Sequence, residues 1–141
     1  MRLGSGPGKA YRLSPGEKER LLSSLRELLG KRDEVLFAVV FGGFLEDRPF
    51  RDVDVGVYLA YGRAAEDIVE AALYAEELGV ELSEALGLPV DVVVLNHVPA
   101  KLLLRALRGR VLVDKDPIKR ARLYLMALDL SDFPRWYRQR P

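Results

Sequence analysis

The chain has 141 residues, 49% of them hydrophobic, and its 22 Lys and Arg against 21 Asp and Glu leave a formal net charge of +1. That length and apolar content suit one core and favour a single domain, and the near-zero charge excludes a global field drawing the protein to nucleic acid. Cysteine is absent and His97 is the only histidine, which excludes disulfides, thiolate chemistry and a histidine-rich zinc centre, so a metal here is expected to be hard and oxygen-bound, like Mg²⁺.

The first eight residues are too polar and too glycine-rich for a signal-peptide core, and residues 1–13 read as a flexible lead-in. No run of about 18 apolar residues is present to span a bilayer, so a cytoplasmic protein without membrane contact is expected. Ser14, Pro15 and Glu17 form a cap, a first-turn proline and an acidic start, and Leu21, Leu22, Leu25, Leu28 and Leu29 recur at helical spacing up to Gly30. Residues 35–41 form a short β-branched apolar run that predicts a buried strand, ended at Gly42-Gly43 by a turn tight enough to need glycine.

Residues 52–59 alternate strictly, with Val53, Val55, Val57 and Leu59 on one face and Asp52, Asp54, Gly56 and Tyr58 on the other. A long helix is predicted over 64–86, with Gly79 as its weak point. Residues 90–95 are nearly all apolar and predict a strand covered on both sides, interrupted by Asp91. A helix over 100–108, a strand over 111–113 and a helix after Asp116-Pro117 follow, the last with Ile118, Ala121, Leu125 and Leu128 as its expected buried stripe. Strands alternating with helices predict an α/β (α+β) layer fold, with one domain over 14–130 and a basic, aromatic tail over 131–141. The tail interleaves Phe133, Trp136 and Tyr137 with Arg135, Arg138 and Arg140, a pattern that suits single-stranded nucleic acid but equally a protein partner or the chain's own domain.

Two carboxylates at i and i+2 on a strand project to the same side, about 6.5 to 7 Å apart at the backbone, near enough to share one ion. Asp52 and Asp54 meet that condition, and Asp91 on a neighbouring strand about 4.8 Å away can complete a cluster. Crowded carboxylates repel one another and are costly beside an apolar core, so the three together call for a cation. Two ions roughly 3.5 to 4 Å apart can lower the pKa of an attacking hydroxyl and steady a leaving pyrophosphate. Gly42 and Gly43 would let backbone N–H groups approach a triphosphate.

Gly42-Gly43, eight intervening residues, Asp52-Val53-Asp54 and a later strand bearing Asp91 resemble the signature of the polymerase-beta-like nucleotidyltransferases, in particular the minimal nucleotidyltransferases. The stretches Leu103 to Asp116 and Met126 to Phe133 are similar to the second half of the same family. The resemblance implies a short mixed sheet flanked by helices, Mg²⁺ or Mn²⁺ as cofactor, and transfer of a nucleoside monophosphate from ATP or another nucleoside triphosphate. It also implies that Asp52 and Asp54 are shared metal ligands, that Asp91 is the ligand or base nearest the acceptor, and that the acceptor is a hydroxyl of a helical HEPN-domain protein, the toxin of a toxin–antitoxin pair. Where the family has serine after the first glycine this chain has Gly43, and where the loop continues through arginine and glycine it has Glu46 and Asp47. Negative charge there opposes triphosphate binding, and Arg48 or Arg51 is the cation at hand to offset it, Arg51 being the expected nucleotide contact. The sequence leaves open a member that neutralises its HEPN partner by contact alone, transfer to RNA or a small molecule, and self-association of the chain.

Overall fold

The computed structural model describes residues 9–132. Ser14 opens the first helix as its sequence predicts: its Oγ accepts from the Glu17 amide at 3.1 Å, and the Glu17 carboxylate accepts from the Ser14 amide at 2.8 Å. This closed capping box, with a proline in the first turn, fixes the start of α1 (Pro15–Gly30). Then follow β1 (Val35–Phe41), a 3-10 turn (Gly42–Leu45), β2 (Val53–Leu59), α2 (Arg63–Glu66), α3 (Ile68–Leu86), β3 (Val90–Val94), a second 3-10 turn (Leu95–His97), α4 (Ala100–Leu107), β4 (Arg110–Asp114) and α5 (Pro117–Asp132).

The sheet has the order β3-β2-β1-β4. Strand β1 runs antiparallel to both β2 and β4, whereas β2 and β3 are parallel and need the α2–α3 crossover between them. The mixed sheet expected from the sequence is therefore present. Its two faces carry separate cores. On one, Val53, Val55, Val57 and Leu59 pack with Leu22, Leu25 and Leu29 of α1 and with Leu78 and Leu82 of α3. On the other, Phe37, Val39 and Phe41 pack with Leu103, Leu104, Ala106 and Leu107 of α4 and Ala127 of α5.

Several expectations are corrected. The helix expected over 64–86 is broken at Asp67, not weakened at Gly79. Asp67 accepts from the amides of Val69 and Glu70 at 2.8 and 2.9 Å, so it caps a new helix in place of continuing the old one. Gly79 instead lets α3 lie against β3: a Cβ there would sit 3.3 Å from the carbonyl oxygen of Val90. Strand β3 lies at the edge of the sheet, and the cover on its second face is partial, since Val93 touches the α4–α5 core while Asp91 is exposed. In α5 the buried stripe is Leu123, Tyr124, Ala127 and Leu128, whereas Ile118 and Leu125 are 65% and 60% exposed. That helix is apolar on two sides, and its Arg120 is held by Asp114 of β4 at 2.8 Å.

Within the expected lead-in, Tyr11 exchanges backbone hydrogen bonds with Phe50 at 2.7 and 3.0 Å. Residues 1–8 and the tail from Phe133 onward lie outside the described residues. Among the described residues no helix is long and apolar enough to cross a membrane.

Candidate metal and nucleotide site

Strand register assembles the acidic cluster. Asp54 lies opposite Phe41 of β1 on one side and opposite Asp91 of β3 on the other, so the row Phe41, Asp54, Asp91 crosses three strands. Asp52, two residues before Asp54, projects from the same face. The structure brings the three together: a carboxylate oxygen from each lies within 4.8 Å of the others. Among the described residues no other three His, Asp or Glu side chains meet this way.

Gly42 explains how Asp54 fits. Its φ of +81° lies in the left-handed region, and a Cβ on it would stand 2.3 Å from Asp54 Oδ2. Both the turn and the close approach of the carboxylate require glycine. Gly43 is open for a different reason, because its missing Cβ would lie 3.3 Å from Nη2 of Arg48. The Arg48 guanidinium grips Glu46 through two bonds, Nε to Oε1 at 3.1 Å and Nη2 to Oε2 at 2.9 Å. The hydrogen bonds and charge of Arg48 hold the Glu46 carboxyl below its ordinary value. The loop's back is anchored by Lys18, whose Nζ donates to the carbonyls of Phe44 and Glu46 at 2.8 and 2.9 Å, and by the edge-on contact of Phe44 with Phe50.

Half-buried Asp54 is the group most disturbed electrostatically. Burial, then the charges of Asp52 and Asp91, push its carboxyl from 3.8 to about 6, with Arg105 opposing. Asp91 is also raised, first by the apolar ground around its carboxyl and then by Asp52. Among the described residues no ion pair neutralises any of the three. An all-oxygen donor set left without a counter-charge, with glycine making room for the central ligand, fits a hard divalent cation such as Mg²⁺ or Mn²⁺.

Sequence reading missed Arg105. It is exposed on α4, its guanidinium 5.6 Å from the Phe41 ring centroid, and it makes no ion pair among the described residues. Only its place beside buried Leu103, Leu104 and Ala106 marks it as the outward residue of its turn, and the packing of α4 on β1 turns that side toward Asp54. Arg51, the expected nucleotide contact, is exposed just before Asp52 and is tied to nothing among the described residues. His97 holds the carbonyl of Ala64 in α2 at 3.0 Å.

The chain is similar in fold to solved toxin–antitoxin structures. One is a chain of the complex of tri-AMPylated Shewanella oneidensis HEPN toxin with MNT antitoxin, at a TM-score of 0.66 and 18% identity, covering 86% of this chain and 92% of that one. A second is from the MntA–HepT toxin–antitoxin, at a TM-score of 0.60 and 17% identity, covering 89% and 93%. A third is from a toxin–antitoxin with AMP-PNP, at 0.62 and 18%, covering 90% and 94%. No curated protein matches the chain in sequence. The profile of the family described as polymerase beta, nucleotidyltransferase, matches residues 23–118, which hold the two glycines and all three aspartates. With most of its length under that match and its strands in this register, the chain belongs to the polymerase beta nucleotidyltransferase family.

Proposed function

We propose that this chain is a metal-dependent nucleotidyltransferase that moves a nucleoside monophosphate, AMP from ATP, onto a hydroxyl of a HEPN-domain protein, acting in the cytoplasm as the antitoxin of that pair. The observation that carries the reading is the convergence of Asp52, Asp54 and Asp91 from two parallel strands, with Gly42 admitting the Asp54 carboxylate. The partner is supported by neighbours of the same fold solved in complexes with HEPN toxins, one of them tri-AMPylated, and the nucleotide by the neighbour with AMP-PNP.

In this reading Asp52, Asp54 and Asp91 would hold Mg²⁺ or Mn²⁺, which would lower the pKa of the acceptor hydroxyl and steady the leaving pyrophosphate. The remaining work falls to the chain itself. Gly42 admits the Asp54 carboxylate and Gly43 borders the Arg48 guanidinium, and Arg51 adds an exposed cation beside Asp52. Arg105 faces the cluster from α4 and offsets part of the triphosphate's charge. The acceptor oxygen attacks the α-phosphorus in line, the bond from that phosphorus to the pyrophosphate oxygen breaks, and the hydroxyl proton passes to Asp91, the carboxylate on the neighbouring strand.

The test is labelled ATP with Mg²⁺ and the HEPN-domain partner. Label should reach the partner, and Asp54→Asn should abolish it while leaving the chain folded. No label with any triphosphate refutes transfer to a protein. Gly43, in the place of a phosphate-contacting serine, favours a second reading, in which the fold neutralises its partner by contact. Full neutralisation by Asp54→Asn would select that reading.

A further inference from the structure

Gly43 and Glu46 look like two losses for a phosphate site, one of a hydroxyl and one of favourable charge. The geometry around them joins them into a single device. A Cβ on Gly43 would lie 3.3 Å from Nη2 of Arg48, so the arginine borders the space a side chain at position 43 would enter. Gly43 follows Gly42, whose own Cβ position abuts Asp54, so the guanidinium stands one residue along the chain from the contact with Asp54. Glu46 takes the Nε and Nη2 donors of Arg48. A guanidinium has five N–H donors in a fixed fork, so three remain for a ligand, in a plane fixed by the two that are held.

The loop behind them does not drift. Phe44 is 1% exposed and packs edge-on to Phe50 at 4.9 Å, and Lys18 bonds the carbonyls of Phe44 and Glu46. The main chain that carries Glu46 is thus tied to α1. The Glu46–Arg48 pair is internally neutral, so the Glu46 share of the charge expected to repel a triphosphate is offset where it arises.

We propose that Arg48 binds the phosphate chain of the nucleotide in place of a side chain at position 43, that Gly43 is glycine to admit its guanidinium, and that Glu46 is the positioning residue that aims it. This rests on the nucleotidyltransferase reading above. It assigns the phosphate contact to Arg48 ahead of Arg51, which nothing holds in place among the described residues.

The full chain, Arg48→Ala, Gly43→Ser and the double variant are titrated by calorimetry with a non-hydrolysable ATP analogue and with AMP, each in Mg²⁺. Gly43→Ser displaces only the end of a flexible side chain, so the variant folds, and thermal melting confirms it. Arg48→Ala should weaken the triphosphate about tenfold or more, as expected for a lost charge-assisted bond, and change AMP less than about twofold. Gly43→Ser should weaken the triphosphate too, although it adds a hydroxyl. In the double variant the two losses should not multiply, since both act through one guanidinium. If the wild-type chain binds the analogue and Arg48→Ala binds it equally well, or if Gly43→Ser tightens binding, the assignment of Arg48 is overturned while the nucleotidyltransferase reading stands. If the wild-type chain binds no triphosphate at all, that reading falls and takes this one with it.

Discussion

Asp54→Asn is expected to stabilise the metal-free protein, although it removes the central residue of the site. Moving the Asp54 carboxyl from an ordinary 3.8 to about 6 corresponds to about 3 kcal/mol at most, and water at a half-buried position reduces that to about 1–2 kcal/mol. The sign follows from proton binding. The folded protein holds this proton more tightly than the unfolded chain, so the group's contribution is fully present below about pH 4 and is lost as pH rises through about 6. Asparagine has the same shape, keeps clear of Gly42 as the carboxylate does, and carries no charge at any pH. In EDTA at pH 7 the variant should melt about 3–6 °C above the parent, since a chain of this length moves about 3 °C per kcal/mol. At pH 4 the gap should close to about 1 °C or less. Adding Mg²⁺ should raise the parent more than the variant, because binding to the native state alone stabilises it. Scanning calorimetry at the two pH values decides the matter. A variant that melts at or below the parent at pH 7, or an advantage that persists undiminished at pH 4, refutes the assigned electrostatics.

Gly42→Ala should be severe: the left-handed backbone costs about 1–2 kcal/mol in a residue with a Cβ, and the added carbon would collide with Asp54 Oδ2. Its melting temperature should fall and its response to Mg²⁺ should disappear, so a Mg²⁺ response equal to the parent's contradicts the described approach. Arg105→Gln should weaken the ATP analogue several-fold in calorimetry with little change in melting, because Arg105 is exposed and makes no ion pair among the described residues. Unchanged affinity would remove it from the site. Ser14→Ala should cost about 1 kcal/mol through the lost cap, about 3 °C in melting temperature, and leave the Mg²⁺ response intact, which separates the stability of α1 from the chemistry.

The strands were the most legible part of the chain, because period-two alternation in 53–59 and the apolar runs at 35–41 and 90–94 state which side chains turn inward. The acidic cluster followed from the same period, since Asp52 and Asp54 have to share a face. Asp91 could be placed on the next long strand, but its alignment with Asp54 depends on parallel register, which no local pattern encodes. The inward side of α5 was misread because both of its sides are apolar, and which one meets the core depends on packing against another element. The break at Asp67 was legible in principle, as an acidic cap before two residues whose amides it accepts, but the alanine-rich helical pattern around it hid the cap. Arg105 was missed because its place depends on how one helix leans on a sheet, whereas Arg48 was named with Arg51 as an offset to the loop's acidic charge, and its two-bond grip on Glu46 is what the structure adds.

The crossover between β2 and β3 has a consequence for when the site can exist during folding. Asp54 and Asp91 face each other only in one strand alignment. A slip of a single position would turn every side chain of β3 to the opposite face, burying Asp91 against α3 and presenting valines to the cation. Two halves of the polypeptide, far apart in sequence, must therefore have found their mutual frame before any ion can be gripped. Cation affinity is accordingly a late checkpoint of assembly, closed to misaligned or half-formed chains, and its onset in a refolding experiment would time the locking of that one strand pair.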